Sequence, residues 1–180
     1  MILVVSTCRN KLAEQEFVRP VVDIIQGMDD YRTVHYKKVS LHDTSFSDKI
    51  IICGTQLKDN EYLEHLSRFD WVKNINKPLL GICAGMQVIA LQNGARIVKE
   101  TAEIGMTDIM VVKSTALAPA GNLQAYALHN LSVTVPQDFV KIAESKKCVQ
   151  GIMHAEKPVY GVLFHPEARN KQIIEHFINL

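Results

Sequence analysis

Cys83 has the sequence surroundings of a catalytic nucleophile. It lies in the segment GICAG (81–85), after an apolar run (77–80) and before a helical pattern (86–91). The flanking glycines permit a strand-to-helix turn sharp enough to hold the central residue in a left-handed conformation, with its sulfur aimed at solvent. The N-terminus of the following helix favours the thiolate, which is the reactive form of cysteine. The pattern predicts a nucleophile elbow.

His165 and Glu167 are the best candidates to activate that sulfur. They follow the apolar run YGVLF (160–164) and flank Pro166. A thiol nucleophile needs a base within hydrogen-bond reach and a group that holds the base in one tautomer. Two residues apart on extended backbone, both side chains can face the same way. Alone, Cys83 could be a structural cysteine and Glu167 a solvated helix-terminal acid. Together, the three residues favour catalysis.

The composition excludes several classes of function. The chain has 180 residues, of which 47% are hydrophobic and 22% charged, with a net charge of +1. These values fit one domain (1–180) and give no electrostatic reason to bind nucleic acid or a membrane. The four cysteines form no C-x-x-C pair, and the remaining histidines have no metal-ligand spacing. We therefore expect a cytoplasmic protein with neither a metal nor another cofactor.

The first half of the chain alternates strand and helix patterns. We predict strands at residues 2–6, 33–39, 49–53 and 79–83, and helices at 14–28, 61–75 and after Cys83. Pro20 predicts a kink or a restart within the first helix. This order predicts an α/β fold with an open, mostly parallel, flavodoxin-like sheet and helices on both faces.

The second half of the chain adds short strand patterns, which predict small antiparallel ribbons. A closing strand (159–164) and a helix (168–178) follow. Sites in open α/β sheets form beyond the carboxyl ends of the strands. Cys83 and His165 both follow such ends, so we expect the sheet to bring them to one edge.

Two segments together resemble the class I glutamine amidotransferases. They are GICAGMQ (81–87) and YGVLFHPE (160–167); family sequences usually read G-[IV]-C-x-G-x-Q and, later, YGVQFHPE. The resemblance implies a triad of Cys83, His165 and Glu167. It further implies hydrolysis of L-glutamine to glutamate and ammonia through a thioester on Cys83, without a cofactor.

The resemblance also implies an oxyanion hole. One backbone N–H donor is that of Ala84, which directly follows the nucleophile. The other belongs to a loop that often reads SGGP in the family and reads CGTQ (53–56) here. Gly54 and Thr55 are the candidates in this loop, with the N–H of Thr55 as the donor.

Substrate contacts are implied at two further places. Gln87 corresponds to the family glutamine that contacts the substrate, although it could simply be exposed in the first turn of the helix. His129, Asn130 and Leu131 lie where members place a motif that holds the α-amino and carboxylate groups. The same residues could equally form an ordinary turn.

Within the family, EIGMTDI (103–109) and HAEKPVYG (154–161) are similar to the glutaminase subunits of two-subunit GMP synthases. That similarity implies a separate ATP-using synthase subunit that activates XMP and receives the ammonia. Thr55, LHNL (128–131) and Leu163 depart from the usual pattern. They leave open another acceptor, for example of the anthranilate synthase type. The further alternatives are a stand-alone cysteine hydrolase of γ-glutamyl or peptide bonds, and a regulatory subunit without turnover.

Overall fold

The computed structural model describes residues 1–99 and 101–180. Within these residues the strands are β1 (Ile2–Ser6), β2 (Tyr31–His35), β3 (Lys49–Ile52), β4 (Leu79–Ile82), β5 (Ile97–Val98), β6 (Glu103–Val111), β7 (Gly121–His129), β8 (Ser132–Val133), β9 (Phe139–Glu144), β10 (Val149–His154) and β11 (Val159–Val162). The α-helices are α1 (Glu14–Phe17), α2 (Arg19–Ile25), α3 (Leu41–Phe46), α4 (Glu61–Glu64), α5 (Ala84–Gln92) and α6 (Gln172–Ile178), joined by 3-10 helices at Lys11–Ala13, Tyr36–Lys38 and Leu66–Asn74.

Nine of these strands form one sheet in the order β2-β1-β3-β4-β11-β10-β9-β6-β7. The neighbours from β2 to β11 are parallel, and those from β11 to β7 are antiparallel. The predicted α/β fold is confirmed. The antiparallel strands are not separate ribbons, however, because four of them extend the main sheet beyond β11. The short strands β5 and β8 pair with each other apart from it.

Both faces of the parallel part are covered. Ile2 and Val4 of β1 pack in one buried cluster with residues of α1, α2 and α6. Leu3 and Val5 point to the opposite face and pack with α5 and the 3-10 helix Leu66–Asn74. Successive strand residues face opposite sides, so a strand buried on both sides is apolar throughout. This places β1 in the middle of a three-layer structure.

Several helices differ from the prediction. The predicted helix at 14–28 is divided at Val18 into α1 and α2, and Pro20 lies in the first turn of α2, where its missing N–H costs no hydrogen bond. The predicted helix at 61–75 is α4 followed by a 3-10 helix. Helix α3 was not predicted; its start is fixed by a capping box between Ser40 and Asp43. No helix in the described part of the chain has the length and apolar character needed to cross a membrane.

Candidate active site

A strained elbow carries Cys83 between β4 and α5. Its φ and ψ are 50° and −105°, and it is the one non-glycine residue with positive φ in the described ranges. A Cβ on Gly85 would lie 2.1 Å from the carbonyl oxygen of Ile52, and one on Gly81 would lie 2.4 Å from the carbonyl carbon of Gly85. The glycines are therefore required by close packing. Strain of this kind costs about 1–3 kcal/mol and is typical of functional sites.

The sulfur of Cys83 is enclosed, which corrects the expectation that it points into solvent. Cys83 is only 5% exposed, and its Sγ lies 3.7 Å from the carbonyl oxygen of Leu128. Gly54 packs against both Cys83 and His165. A Cβ added to Gly54 would lie 3.2 Å from Cβ of Cys83 and 2.8 Å from Cε1 of His165. The fold thus brings the two distant sequence segments together, as predicted.

His165 and Glu167 form a buried pair. Nδ1 of His165 lies 2.7 Å from Oε1 of Glu167, and both residues are less than 5% exposed. Burial alone lowers the pKa of His165, but the charges of Glu167 and Cys83 and the hydrogen bond with Glu167 outweigh it, so the pKa lies well above its usual value. Within residues 1–99 and 101–180, Nε2 of His165 has no hydrogen-bond partner that meets standard geometry. This nitrogen is the one left to exchange a proton with the thiol.

The loop after β3 holds its peptide groups in a defined orientation. The carbonyl of Gly54 accepts hydrogen bonds from Thr7 Oγ1 at 3.2 Å and from Cys8 Sγ at 3.7 Å. In a trans peptide the N–H of Thr55 points the opposite way. The side chain of Thr55 is held as well, because its Oγ1 donates to Asp59 Oδ2 at 2.6 Å. No sequence motif signals the roles of Thr7 and Asp59.

A narrow cleft joins the predicted site residues to Cys83. Its lining includes Thr55, Ala84, Gln87, His129 and Asn130. Its cavity volume is about 10 Å³, which is room for one water molecule at most. Gly54 and Leu131 contact the same group of residues without lining the cleft.

Gln87 is buried, so its interpretation as an exposed first-turn residue is wrong. It is 2% exposed, and its Oε1 accepts a hydrogen bond from the hydroxyl of Tyr62. Its Nε2 donates to the carbonyl oxygen of Leu131 at 2.9 Å. Gln87 therefore connects α4 to the segment after β7. Tyr62 was not predicted as a site residue, because no motif identifies it.

The buried pair of His165 and Glu167 lines a second cavity. It has a volume of about 370 Å³, and its lining includes Phe17, Pro20, Tyr126, His165 and Glu167. It is much larger than the narrow cleft beside Cys83. Among the residues that the structure describes, Leu128 is the one that lines both cavities.

The side chain of His129 belongs to a buried polar cluster. Its Nε2 lies 3.4 Å from Oε2 of Glu103 and 3.2 Å from Nε2 of Gln150. Burial lowers the pKa of His129 to about 4, although the charge of Glu103 opposes this shift. Glu103, His129 and Cys148 bring potential metal-ligand atoms within 4.8 Å of one another. This group was not predicted from the sequence, because its members are far apart in the chain.

Comparisons with known proteins agree with this geometry. The sequence model of the family described as "Glutamine amidotransferase class-I" matches residues 18–179. The A subunit of glutamine-hydrolyzing GMP synthase from Thermoplasma acidophilum is 33% identical over 143 residues, which cover 74% of this chain and 72% of that protein. The protein of the same name from Thermoplasma volcanium is 34% identical over 142 residues, covering 73% and 70% of the two chains.

Solved structures share the fold. A Thermoplasma acidophilum protein assigned as the A subunit of GMP synthase superposes with a TM-score of 0.85 at 25% identity, covering 99% of this chain and 93% of that chain. A glutamine amidotransferase from Thermotoga maritima has a TM-score of 0.69 at 21% identity, covering 99% and 83%. Because the family model matches most of the sequence, it shows the family to which the chain belongs. The chain belongs to the class-I glutamine amidotransferase family and is a glutamine amidotransferase enzyme.

Proposed function

We propose that the chain is a glutaminase subunit in which Cys83 attacks the side-chain carboxamide of L-glutamine. One observation carries this proposal: a buried His165–Glu167 pair stands beside a cysteine held in a strained elbow. Such a combination of nucleophile, base and orienting group is the arrangement that acyl transfer requires.

The reaction divides into two acyl transfers. In the first, Nε2 of His165 holds the thiol proton as an imidazolium, and the thiolate Sγ of Cys83 bonds to the carboxamide carbon. The tetrahedral intermediate collapses as the C–N bond breaks, and His165 gives the proton to the departing ammonia. In the second, His165 takes a proton from water, the hydroxide adds to the γ-glutamyl thioester, and glutamate leaves as Sγ regains the proton. Glu167 holds Nδ1 of His165 throughout.

Backbone donors stabilise the oxyanion in both steps. We assign this role to the N–H groups of Ala84 and Thr55. Ala84 is the first residue of α5, where the N–H has no partner within the helix. The fixed carbonyl of Gly54 supports the same assignment for Thr55, because it sets the direction of the next N–H. Each such donor contributes about 3 kcal/mol to the transition state.

Glutamine binds in the narrow cleft. Its polar groups are surrounded by Gln87, His129, Asn130 and Leu131, the last of which acts through its backbone. A cavity of about 10 Å³ is too small for glutamine, so substrate binding requires the cleft to widen. We assign the widening to residues 56–60, which form one wall of the cleft beyond the fixed Gly54–Thr55 peptide.

Ammonia passes to a partner synthase. The two Thermoplasma relatives are named as A subunits of glutamine-hydrolyzing GMP synthase, which supports a partner subunit that forms GMP. The resemblance to the glutaminase subunits of two-subunit GMP synthases implies that this partner uses ATP to activate XMP and then receives the ammonia. The cavity of about 370 Å³ is lined by His165, the residue that gives the departing ammonia its proton, and not by Thr55, Ala84 or Gln87 of the glutamine cleft. We therefore assign this cavity as the exit toward the partner.

The test combines the chain with the ATP-using GMP synthase subunit of the same organism. We expect slow glutamine hydrolysis by the chain alone, a rise of at least about tenfold with the partner, ATP and XMP, and GMP formation that needs both subunits. Cys83→Ala should eliminate glutamine-dependent GMP formation but leave ammonia-dependent formation intact. If the rate of glutamine hydrolysis is the same with and without the partner, and γ-glutamyl peptides are cleaved faster than glutamine, the chain is a stand-alone hydrolase instead.

A further inference from the structure

The buried cluster around Gln150 joins three parts of the sheet. Oε2 of Glu103, on β6, accepts hydrogen bonds from Gln150 Nε2 at 2.6 Å and from Ser145 Oγ at 2.9 Å. Cys148 Sγ lies 3.6 Å from the same oxygen. His129, at the end of β7, lies on the other side of the amide, with its Nε2 at 3.2 Å. The amide nitrogen of Gln150 is therefore central to the cluster.

The hydrogen-bond directions in the cluster are set by charge. His129 is neutral, because burial lowers its pKa to about 4. Its Nε2 can therefore accept one N–H of Gln150 while Glu103 accepts the other. This leaves the His129 proton on Nδ1, which has no partner among the described residues. Because the Gln150 amide donates one N–H to Glu103 and the other to His129, it fixes the imidazole ring in one orientation.

The imidazole ring belongs to a segment that touches the nucleophile and the substrate cleft. One residue before His129, the carbonyl oxygen of Leu128 contacts Sγ of Cys83 at 3.7 Å. Two residues after it, the carbonyl oxygen of Leu131 accepts a hydrogen bond from Gln87 Nε2 at 2.9 Å. A change in the position of His129 therefore moves the backbone that lines the glutamine site.

We propose that Gln150 and Glu103 are positioning residues, which act through His129 to hold residues 128–131 in the form that binds glutamine. This inference rests on the proposed glutaminase function. The main effect of the cluster is on substrate binding, since the contact of Leu128 with Cys83 is a weak S–H···O interaction. The cluster contains ligand types suited to zinc, but the Gln150 amide lies among the three ligand atoms and donates to Glu103 and His129, while the thiol of Cys148 is directed at Glu103 Oε2.

The test uses the whole chain and the glutamine analogue 6-diazo-5-oxo-L-norleucine, which alkylates a glutaminase nucleophile. The dependence of the labelling rate on analogue concentration gives a half-saturation concentration for binding and a maximal rate for the chemistry. Gln150→Glu places a second carboxylate against Glu103. We expect the half-saturation concentration to rise about tenfold or more, with the maximal rate changed less than about threefold.

Two comparisons isolate the role of the amide. The double variant with Glu103→Gln and Gln150→Glu exchanges carboxylate and amide. Neutral His129 can meet the new carboxylate by carrying its proton on Nε2 and donating it, so we expect this variant to recover most of the binding. Cys148→Ser keeps a donor to Glu103 and should bind like the parent protein. If Gln150→Glu does not fold, Gln150→Asn withdraws the amide without adding charge and should also raise the half-saturation concentration.

Three outcomes would overturn the inference. The first is a Gln150→Glu protein with a lowered unfolding temperature but unchanged half-saturation. The second is a double variant that binds no better than Gln150→Glu. The third is stoichiometric zinc in the purified parent protein that is lost with Cys148→Ser. A parent protein whose Cys83 is not labelled at all contradicts the proposed function itself, so the two failures are distinguishable.

Discussion

Nδ1 of His165 lies 2.7 Å from Oε1 of Glu167, and both side chains are buried. The carboxylate therefore fixes the imidazole tautomer and stabilises the imidazolium. Glu167→Gln preserves the size of the side chain but removes its charge. We expect kcat/KM for glutamine to fall about a thousandfold. Steady-state kinetics with ammonia detection measures this, with the exposed Glu175→Gln as the control.

The same variant changes the pH dependence. The charge of Glu167 raises the pKa of His165, so its removal lowers that pKa. The imidazolium is then lost at a lower pH, and the alkaline limb of the kcat/KM profile moves toward acid. An alkaline limb that stays in place, with only the amplitude reduced, would contradict this assignment of the pKa shift.

Thr7 orients the proposed oxyanion donor. Its buried Oγ1 donates to the carbonyl oxygens of Cys53 at 3.0 Å and Gly54 at 3.2 Å. Thr7→Val removes a hydrogen bond from both carbonyls and loosens the orientation of the Gly54–Thr55 peptide. We expect kcat to fall about tenfold while KM changes less than about threefold, because the loss acts on the transition state.

A second buried threonine provides the matched control for Thr7→Val. Thr44 Oγ1 donates to the carbonyl of Leu41 at 3.1 Å within helix α3, which lines neither of the two cavities at the candidate site. Thr44→Val should lose stability, as Thr7→Val does, but retain the parent kcat. Equal kcat values for the two variants would show that Thr7 does not orient the oxyanion donor.

Gln87 and Gln92 are buried glutamines of the same helix with different neighbours. Gln87 lines the cleft, whereas Gln92 donates to the carbonyl of Leu66 near the other end of α5. Each Gln→Leu change leaves buried partners unpaired and should cost about 1–3 kcal/mol of unfolding free energy. Only Gln87→Leu should also raise KM for glutamine. Urea unfolding and steady-state kinetics on both variants separate the two effects, and a KM rise in both would show that it reflects lost stability.

We expect buried His129 to make the folded protein less stable at acid pH. Its pKa is about 4 in the folded protein and about 6.5 in an unfolded chain. A lowered folded pKa gives stability that is complete above about pH 6.5 and is lost as the pH falls toward 4, by about 3 kcal/mol. The pKa of His165 is raised on folding, so His165 changes the unfolding free energy with pH only above about pH 6.5, its pKa in an unfolded chain. His165 therefore does not mask the loss caused by His129. The difference between the parent protein and His129→Gln in urea unfolding at several pH values measures it.

A parent protein and a His129→Gln variant with parallel stability curves between about pH 6.5 and 4 would show that His129 is not buried in its neutral form.

The parallel half of the fold and the group of Cys83, His165 and Glu167 were predictable because their signals are local. An apolar run indicates a buried strand, and two glycines around a cysteine indicate a sharp turn. The course of the antiparallel strands was not predictable, because which edge they extend depends on pairing between distant residues. The burial of Gln87 was missed for a similar reason, since it depends on the hydroxyl of Tyr62 and the carbonyl of Leu131.

The role of Gln150 near the candidate site could not be predicted either, because it depends on contacts between residues that are distant in sequence. Nothing near it in sequence indicates a functional role, and its partners Glu103 and His129 come from two other strands. Glu103 lies in a segment that resembles the family, but the resemblance does not reveal which side chain its carboxylate meets. A contact among three strands becomes visible only in three dimensions.

The central claim is that Cys83 forms a γ-glutamyl thioester. Rapid acid quenching of the chain during turnover of isotopically labelled glutamine, followed by peptide mass spectrometry, tests it most directly. We predict a γ-glutamyl adduct on the peptide that contains Cys83, which disappears with Cys83→Ala. Full glutaminase activity in Cys83→Ala, or an adduct on another cysteine alone, would contradict the account.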